Sequence, residues 1–441
     1  MKPNWPRQVP SSPTIASPPD VRRDSPRLAL IVLTAIGTAG FIDRIVMNVL
    51  VEPLKREFGL SDTQIGLLTG LAFAVLNVTL GIAVARLAER QRRLSLIALG
   101  TLLWSLATAL CGAVTSWPAL LLARVAVGVG EAVGLPANQS VIADYTPPHR
   151  RASAMSVLLL APPLGAFIGA AGGAWVAGHW GWRWAFVAAA LPGFVLAAAA
   201  WLFVAEPPRG RHDAADDGTV PPLGAVVARF WQLPSARHLV AGSTVASMVG
   251  FGLNAFFAAM LARRFGFSLI EAGLAAGVVA SLPASLSVLT GGWLADRLGK
   301  TRPAAYALVP GLSLIAAAPL YALAMTRGSS TPLLVLVGLA ALLQYTYLGC
   351  TYGTLQNLMS SRMRATASAL LNAVYSLVGA GIGPLLLGAA SDALLARGLS
   401  SGGALSLAMA GFSLVYLWAG AHYLLAARHI GPDLAATRAA P

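Results

Sequence analysis

Long apolar segments alternate with short polar loops from about residue 28 to about residue 427. Each segment is close to the length of about 20 residues that an α-helix needs to cross a bilayer. The pattern predicts twelve spans, numbered here in chain order, at 28–50, 63–86, 94–114, 118–143, 151–178, 183–204, 237–262, 270–295, 303–325, 331–358, 365–395 and 401–427. We therefore expect an all-α membrane protein.

Lys and Arg are distributed unevenly between alternate loops. If both termini lie on one side of the membrane, that side carries 22 of the 31 Lys and Arg residues, and the opposite loops carry seven. The positive-inside rule assigns the richer side to the cytoplasm. The sequence thus predicts a multi-pass protein of a bacterial-type inner (plasma) membrane with both termini cytoplasmic.

Composition excludes several function classes. Hydrophobic residues make up 56% of the chain and charged residues 11%, which does not suit a water-soluble protein of this length. The net charge is +14, but the basic residues lie between the apolar segments and form no basic patch, so no nucleic-acid partner is expected. Cysteines, histidines and glycines form no metal-binding, nucleotide-binding or hydrolase motif. We expect no cofactor, no metal, no catalytic residue and no enzyme activity.

An internal repeat divides the chain. Residues 56–61 (REFGLS) recur as residues 263–268 (RRFGFS), at an offset of 207. The same offset aligns two later glycine pairs, Gly66 with Gly273 and Gly70 with Gly277. Repeated halves are common in transporter folds. The predicted organisation is a disordered cytoplasmic tail at 1–26, a six-helix bundle at 27–204, a cytoplasmic linker at 205–236, a second six-helix bundle at 237–427 and a cytoplasmic tail at 428–441.

Local signals mark where spans 2 and 8 begin and how span 5 packs. Ser61 with Gln64, and Ser268 with Glu271, have the spacing of capping boxes, which satisfy free N–H groups at a helix start. Span 5 carries glycines at four-residue spacing, which allows close helix approach. These are Gly165, Gly169 and Gly173.

Several sequence motifs resemble those of a known transporter family. Residues 292–300 (GWLADRLGK) resemble the major facilitator signature between spans 8 and 9, residues 85–90 (ARLAER) are a weaker first-half copy, and residues 124–130 (RVAVGVG) are similar to the span-4 arginine motif. Asp43-Arg44, residues 128–132 (GVGEA), Asp144 and residues 181–183 (GWR) resemble the Spinster-like group. The resemblance implies two pseudo-symmetric six-helix bundles, alternating access around a central cavity and a functional monomer. In eukaryotic relatives it implies a lysolipid or sphingoid phosphate as cargo.

Four ionisable residues lie inside the predicted spans: Asp43, Arg44, Arg124 and Glu131. Each costs about 2.5–3.5 kcal/mol at the centre of a membrane helix, so we expect them to pair and to face the bundle interior or a wet cavity. Arg124, Glu131 and Asn138 are seven residues apart, which places them on one face of span 4. The resemblance makes spans 1 and 4 neighbours, so contacts of Asp43 with Arg124 or of Arg44 with Glu131 are expected.

These charges have a functional and a static interpretation. Burial raises the pKa of a carboxyl group and a neighbouring arginine lowers it, so a moving partner helix can make a carboxylate take up and release a proton. In that interpretation Asp43 or Glu131 couples transport to protons, or the arginines hold an anionic head group. In the static interpretation the four residues form a fixed network that sets helix packing.

The second half offers polar but uncharged side chains within its spans. Together with Asn138 of the first half, the cavity-lining candidates are Asn254, Gln344, Tyr347, Tyr352, Asn372 and Tyr375. A cavity that is charged on one wall and rich in amides and aromatics on the other suits an amphipathic molecule with an anionic end. The same side chains are also typical of hydrogen bonds between membrane helices.

The resemblance also implies a cytoplasmic gate at the ends of spans 2 and 8. Glu89, Arg90, Asp296 and Arg297 would form charge clasps with neighbouring helix ends; alternatively, they are solvated loop charges that set topology. The predicted function is a secondary active transporter for an amphipathic or organic anion, with protons, a small-molecule substrate and the lipid bilayer as partners. The alternatives are a multidrug or organic-solute exporter, and a lipid-binding sensor or membrane-embedded enzyme on the same scaffold.

Overall fold

The computed structural model describes residues 24–75, 77–80, 91–147, 150–158, 160–208, 211, 222–359 and 363–439. Within these ranges the secondary structure is helical and contains no strand. The first half contains helices Pro26–Val49, Val51–Phe58, Asp62–Gly66, Leu67–Leu71, Arg93–Cys111, Trp117–Glu131, Gly134–Tyr145, Arg151–Leu158, Ala161–Phe167, Ile168–Gly172, Gly173–Trp180 and Trp182–Phe203. The second half contains Pro234–Phe265, Leu269–Gly299, Ala305–Thr326, Ser330–Gln344, Thr346–Leu358, Arg364–Val374, Tyr375–Ile382, Gly383–Leu395, Ser401–Ser413 and Val415–Ala439.

Ten of the predicted spans are helices that are long and apolar enough to cross a membrane, counted over the described residues. Spans 4 and 5 fall outside this count. Span 4 is interrupted between Glu131 and Gly134. In span 5, a turn at Leu160 precedes the helix that begins at Ala161. Hydropathy does not detect such breaks, because a turn within a span leaves its average apolar character unchanged.

The predicted boundaries and the helix ends differ at the linker and at the C-terminal tail. A further helix, Leu223–Gln232, lies within the predicted linker, and span 7 begins at Pro234. The last helix continues through the predicted tail to Ala439. Residues 1–23 of the predicted disordered tail lie outside the described residues.

Both predicted capping boxes are formed. The backbone N–H of Gln64 donates to Ser61 Oγ at 3.2 Å, and the Gln64 side chain accepts from the Ser61 N–H at 2.9 Å. Ser268 and Glu271 make the same reciprocal bonds, at 3.3 and 2.9 Å. The two helix starts therefore reproduce the internal repeat in three dimensions.

The repeated glycines form the interface between the two halves. A Cβ on Gly66 would lie 2.4 Å from the Pro384 carbonyl oxygen of span 11, and one on Gly70 would lie 2.4 Å from the Ala380 oxygen. In the other half, a Cβ on Gly273 would lie 2.2 Å from the Ala174 Cβ of span 5. Span 2 thus packs on span 11 as span 8 packs on span 5, which is the relation expected of a pseudo-two-fold axis.

The glycines at four-residue spacing in span 5 pack against span 1, the helix that carries Asp43 and Arg44. Side chains on Gly165, Gly169 and Gly173 would collide with Phe41, Ile42 and Val46 respectively. Gly379 and Gly383 of span 11 meet Ser247 and Met248 of span 7 in the same way. The stripes therefore fix the positions of spans 1 and 7 within their bundles.

Replacing Gly169 by alanine is expected to destabilise the protein. The new Cβ would lie 2.8 Å from the Ile42 carbonyl oxygen, and overpacking of this kind costs about 1–3 kcal/mol. Gly172→Ala is the matched control, because its Cβ would meet only the Ile168 side chain at 3.9 Å. Thermal unfolding of the purified protein in detergent should show a lower Tm for the first variant alone; equal Tm values would contradict this packing.

Candidate functional site

The four predicted intramembrane charges form two ion pairs, and one of these is sealed inside the bundle. Asp43 Oδ2 accepts from Arg124 Nη1 at 3.0 Å, and Asp43 Oδ1 accepts from Thr108 Oγ1 at 2.8 Å. The side chains of Asp43 and Arg124 are 0% and 1% exposed. Spans 1, 3 and 4 are thereby joined by a charged contact that has no access to solvent.

The second pair lies at the edge of the bundle. Arg44 Nε donates to Glu131 Oε2 at 2.7 Å, and Arg44 Nη2 donates to the same oxygen. The Arg44 guanidinium also lies 4.4 Å from the ring centroid of Phe73. The Arg44 side chain is 34% exposed, whereas Glu131 is 5% exposed. The exposed part of this ion pair is thus the Arg44 side chain.

The different surroundings of the two pairs follow from helix geometry. Successive residues of an α-helix point about 100° apart, so Asp43 and Arg44 cannot both face the same neighbours. Asp43 turns into the bundle, and Arg44 shares a face with Asn48, four residues later. Asn48 lines a small pocket between the two halves, together with Ile45, Val49, Ala170, Asn254, Phe257, Ala258, Ala276 and Ala280.

The span-4 face predicted for Arg124, Glu131 and Asn138 crosses the interruption in that helix. Asn138 is 2% exposed, and its Nδ2 lies 3.5 Å from the Leu33 carbonyl oxygen of span 1. All three side chains are thus buried, and each approaches span 1. The break after Glu131 places its carboxyl group at a helix end.

The cavity-lining candidates of the second half form two groups. Tyr352 donates a hydrogen bond to Asn372, and the Tyr375 ring meets those of Tyr352 and Tyr347 edge-on at 6.1 and 6.3 Å. The other group is tied to neighbouring helices. Asn254 Nδ2 donates to Tyr345 Oη at 2.9 Å. Gln344 accepts from Tyr321 and is 3% exposed, so it serves packing within the half.

Charged residues join the halves at the end of the molecule where span 1 ends and span 2 begins, called here the distal end. Arg263 of span 7 donates through Nη1 and Nη2 to both carboxylate oxygens of Asp62, each at 2.8 Å, and through Nε to Glu52 at 2.6 Å. Lys55 Nζ donates to Asp62 at 2.6 Å. Ser391 of span 11 also donates to Asp62, at 2.7 Å.

A carboxylate from the second half also caps a helix of the first half. Asp392 accepts the backbone N–H groups of Asp62 and Thr63 at 2.9 and 2.8 Å, at the start of span 2. Helix N-termini favour negative charge and leave free N–H groups. Gly388 permits this approach, because a Cβ there would lie 2.2 Å from the Asp62 carbonyl oxygen. We call Glu52, Lys55, Asp62, Arg263, Ser391 and Asp392 the distal latch.

Comparisons with known proteins identify the family. The sequence profile of the Major Facilitator Superfamily matches residues 32–384. The chain belongs to the Major Facilitator Superfamily. Within it, the chain is Spinster-like and is a transporter. It is 28% identical over 397 residues to protein spinster homolog 1 of Xenopus tropicalis, covering 82% of this chain and 72% of that protein.

Two further relatives cover most of the transporter. An MFS-type efflux pump of Mycolicibacterium smegmatis is 34% identical over 373 residues, which are 82% of this chain and 84% of the pump. The crystal structure of a bacterial homologue of the human lysosomal transporter Spinster, in an inward-facing and unoccupied conformation, superposes with a TM-score of 0.86 at 30% identity. That match covers 95% of this chain and 99% of the homologue, and confirms the twelve-helix fold of two six-helix bundles.

The four residues predicted to form a cytoplasmic gate are only partly described by the structure. Glu89 and Arg90 lie outside the described residues. Asp296 and Arg297 are exposed, and the Arg297 guanidinium lies 5.4 Å from the Trp293 ring. Neither forms an ion pair with any residue that the structure describes. The gating role of these residues stays a prediction.

A buried ionic cluster at the start of span 3, far from the distal latch, was not predicted from the sequence. Arg93 is 3% exposed, donates to Asp144, and donates through Nε to Glu206 at 2.8 Å. Glu206 also accepts the Leu94 backbone N–H at 2.9 Å. The cluster ties spans 3 and 4 to the chain that follows span 6, and gives Asp144 of the Spinster-like resemblance a partner.

The Gly181-Trp182-Arg183 motif of the transporter binds the short helix before span 2. Trp182 Nε1 and Arg183 Nη2 each donate to Glu57, both at 2.7 Å. The Arg183 hydrogen bond, followed by that of Trp182, lowers the pKa of Glu57 below its ordinary value. Arg183 and Glu57 are 41% and 38% exposed, so this contact positions the loop and contributes little stability.

Proposed function

We propose that this Spinster-like transporter carries an amphipathic organic anion by alternating access, and that Glu131 exchanges a proton during the cycle. The observation that supports this most is the Arg44–Glu131 pair, in which the arginine side chain is 34% exposed while the carboxylate is buried. Intramembrane charges are expensive, so an ion pair that keeps an open side is a candidate binding site.

Anion and proton binding are linked in this proposal because both act on one guanidinium. A substrate phosphate or carboxylate must compete with Glu131 for the donors of Arg44. A proton on Glu131 removes that competitor, so the proton favours the anion and, by linkage, the anion favours the proton. The aromatic and amide surface around Tyr352, Asn372 and Tyr375 would meet the apolar part of the substrate.

The proposed orientation places the distal end outside the cell and both termini in the cytoplasm. The distribution of Lys and Arg between the loops supports it. The distal latch closes that end, so the described state would open toward the cytoplasm, as the similar bacterial structure does by its description. The inner membrane is the proposed location.

Replacing Glu131 by glutamine is expected to abolish the rise in anion affinity at low pH. Wild-type protein in nanodiscs should bind a fluorescent lysophosphatidic acid more tightly as the pH falls, because the proton releases Arg44. In the Glu131→Gln variant this rise should be absent, and in Arg44→Gln the affinity should fall about tenfold or more, the loss expected for one charge-assisted hydrogen bond.

Glu57→Gln is the matched control, because Glu57 lies in the distal loop with a 38% exposed side chain. It should retain the wild-type pH dependence of binding. If Glu131→Gln behaves like Glu57→Gln, the proton-linked site is elsewhere and the proposed coupling fails.

Similarity to the mycobacterial efflux pump supports a second candidate, export of organic solutes without an anionic requirement. Proteoliposomes loaded with a lipophilic cation such as ethidium distinguish the two. Efflux that persists in Arg44→Gln would favour the exporter. A protein that binds lysophosphatidic acid but moves neither probe would instead be a lipid-binding sensor, and one that chemically alters the probe would be an enzyme.

A further inference from the structure

Two histidines meet at the outer edge of the second half, where span 7 packs on span 12. The Nδ1 atoms of His238 and His422 lie 3.0 Å apart, and the ring centroids are 5.3 Å apart. A hydrogen bond between two imidazole nitrogens needs one donor and one acceptor, so the accepting ring carries its own proton on Nε2. At least one Nε2–H group of the pair can therefore donate to a further acceptor.

The histidine pair lies at the membrane boundary that is opposite the distal end. His238 precedes Arg263 of the distal latch by 25 residues of one continuous helix, which is about 37 Å. A bilayer with its headgroups is about 40–45 Å thick, so the two residues lie at opposite headgroup layers. Trp418 is 58% exposed, and its ring lies 5.9 Å from the His422 ring. Exposed tryptophan is typical of the boundary between acyl chains and headgroups.

The exposed edge of span 12 changes from apolar to basic toward the end of the helix. Four residues at intervals of four, three and four positions share this edge: Trp418, His422, Leu425 and His429. Leu425 and His429 are exposed, and His422 is half-buried against span 7. The edge thus presents apolar side chains toward the bilayer and imidazoles toward the headgroups, which is the order of acyl chain and headgroup in a phospholipid.

The basic side chains at this boundary are not neutralised by ion pairs within the described ranges. Arg237, next to His238, is exposed, and a charge on His429 acts on His238 across the two helices. The carboxylate that follows on span 12, Asp433, caps the start of span 7 instead. Its Oδ2 accepts from the Ser235 backbone N–H at 2.9 Å and from the Ser235 hydroxyl at 2.5 Å. The positive end of the span-7 helix dipole offsets this carboxylate, so the boundary favours a further anion.

We call Arg237, His238, His422 and His429 the histidine cluster. We propose that this cluster binds the phosphate of an anionic phospholipid, whose acyl chain packs along Trp418 and Leu425. The arginine attracts the headgroup, and an imidazole Nε2–H donates to a phosphate oxygen. Basic pockets between membrane helices bind such headgroups in other proteins. The site lies in the other half from the Arg44–Glu131 pair and does not depend on the proposed function.

The test measures which lipid lies next to Leu425 in the full-length protein. Leu425→Cys is labelled with the fluorophore bimane, in a background in which Cys111 and Cys350 are replaced by alanine. Nanodiscs contain phosphatidylglycerol and phosphatidylcholine at equal mole fraction, with one of the two brominated on its acyl chains, because bromine quenches only a fluorophore that it contacts. Phosphatidylglycerol should quench more strongly, with an association constant about tenfold higher than that of phosphatidylcholine.

Two variants should reduce this preference for phosphatidylglycerol. Arg237→Gln leaves the histidine pair in place and should lower the preference about fivefold, the effect of one arginine near a headgroup. Arg237→Gln/His422→Gln should bring the two association constants to within about twofold of each other. Arg397→Gln is the matched control, because it removes an exposed arginine at the distal end and should keep the preference.

A label on Val195→Cys provides the control for position. Val195 is 68% exposed on span 6, the counterpart of span 12 in the first half, and should show no preference between the two lipids. Equal quenching of the Leu425→Cys label by the two lipids would overturn the lipid site. A preference that persists in both Arg237→Gln and the double variant would also overturn it.

Discussion

Replacing Arg263 by alanine is expected to shift the transporter toward a state that is open at the distal end. The substitution removes three donors that cross between the halves, two to Asp62 and one to Glu52. Both Arg263 and Asp62 are almost fully buried, and loss of one partner of a buried pair costs about 3–5 kcal/mol. Lys55 and Ser391 still donate to Asp62 in this variant. We therefore expect the free energy of distal opening to fall by about 2 kcal/mol or more, which raises the ratio of open to closed protein about 30-fold.

The opening is measured by the distance between spin labels on Arg56→Cys and Arg397→Cys, two exposed distal positions in opposite halves. The buried Cys111 and Cys350 are replaced by alanine in this background. Arg263→Ala should populate a longer distance that is rare in the parent protein. Gly388→Ala should act in the same direction, because its Cβ would lie 2.2 Å from the Asp62 carbonyl oxygen.

Arg264→Ala is the matched control for the latch. Arg264 is the next residue of the same helix, but it donates to Met325, Arg327 and Ser406, all in the second half. Arg264→Ala should leave the distance between the two spin labels unchanged. A distance distribution that is the same in Arg263→Ala, Arg264→Ala and the parent would show that the latch does not hold the halves together.

Asp43→Asn is expected to be among the most destabilising single substitutions in the chain. It leaves the Arg124 guanidinium, 1% exposed, without its counter-charge, and breaking a buried pair in this way costs about 3–5 kcal/mol. The double variant Asp43→Leu/Arg124→Met should regain most of this loss, because apolar residues can replace a buried ion pair with little net effect. Thermal unfolding in detergent measures both.

The same variants decide between the static and functional interpretations of this pair. Asp43 and Arg124 have no open side, so the double variant should keep pH-dependent binding of lysophosphatidic acid if it folds. Glu57→Gln is the comparison for an exposed ion pair, and it should change the free energy of unfolding by only about 0–1 kcal/mol. A wild-type Tm for Asp43→Asn would contradict the sealed pair, and loss of pH dependence in the folded double variant would assign it a part in coupling.

Features that depend on local sequence were predictable. Hydropathy predicted the spans. Ser61 and Ser268 predicted two helix starts, because all the residues of a capping box lie within four positions of the sequence. The repeat of Gly66 as Gly273 gave the two-fold relation of the halves, because both glycines pack at equivalent helix crossings.

Long-range partners were not predictable. The N–H groups capped by Asp392 lie 330 and 329 residues earlier in the chain. Arg263 and Arg264 are chemically identical neighbours, yet only Arg263 bridges the halves. Adjacent Asp43 and Arg44 had to point in different directions, but nothing in the sequence stated which would be sealed.

Proton uptake on anion binding, compared between wild-type protein and Glu131→Gln, tests the central claim most directly. Lysophosphatidic acid is added to each protein in weakly buffered nanodiscs at about pH 7, and a pH indicator reports the protons taken up. The anion competes with Glu131 for the donors of Arg44, so anion binding should protonate Glu131 in the wild-type protein. Wild-type protein should therefore take up more protons per bound anion than Glu131→Gln, and equal uptake by the two proteins would contradict the account.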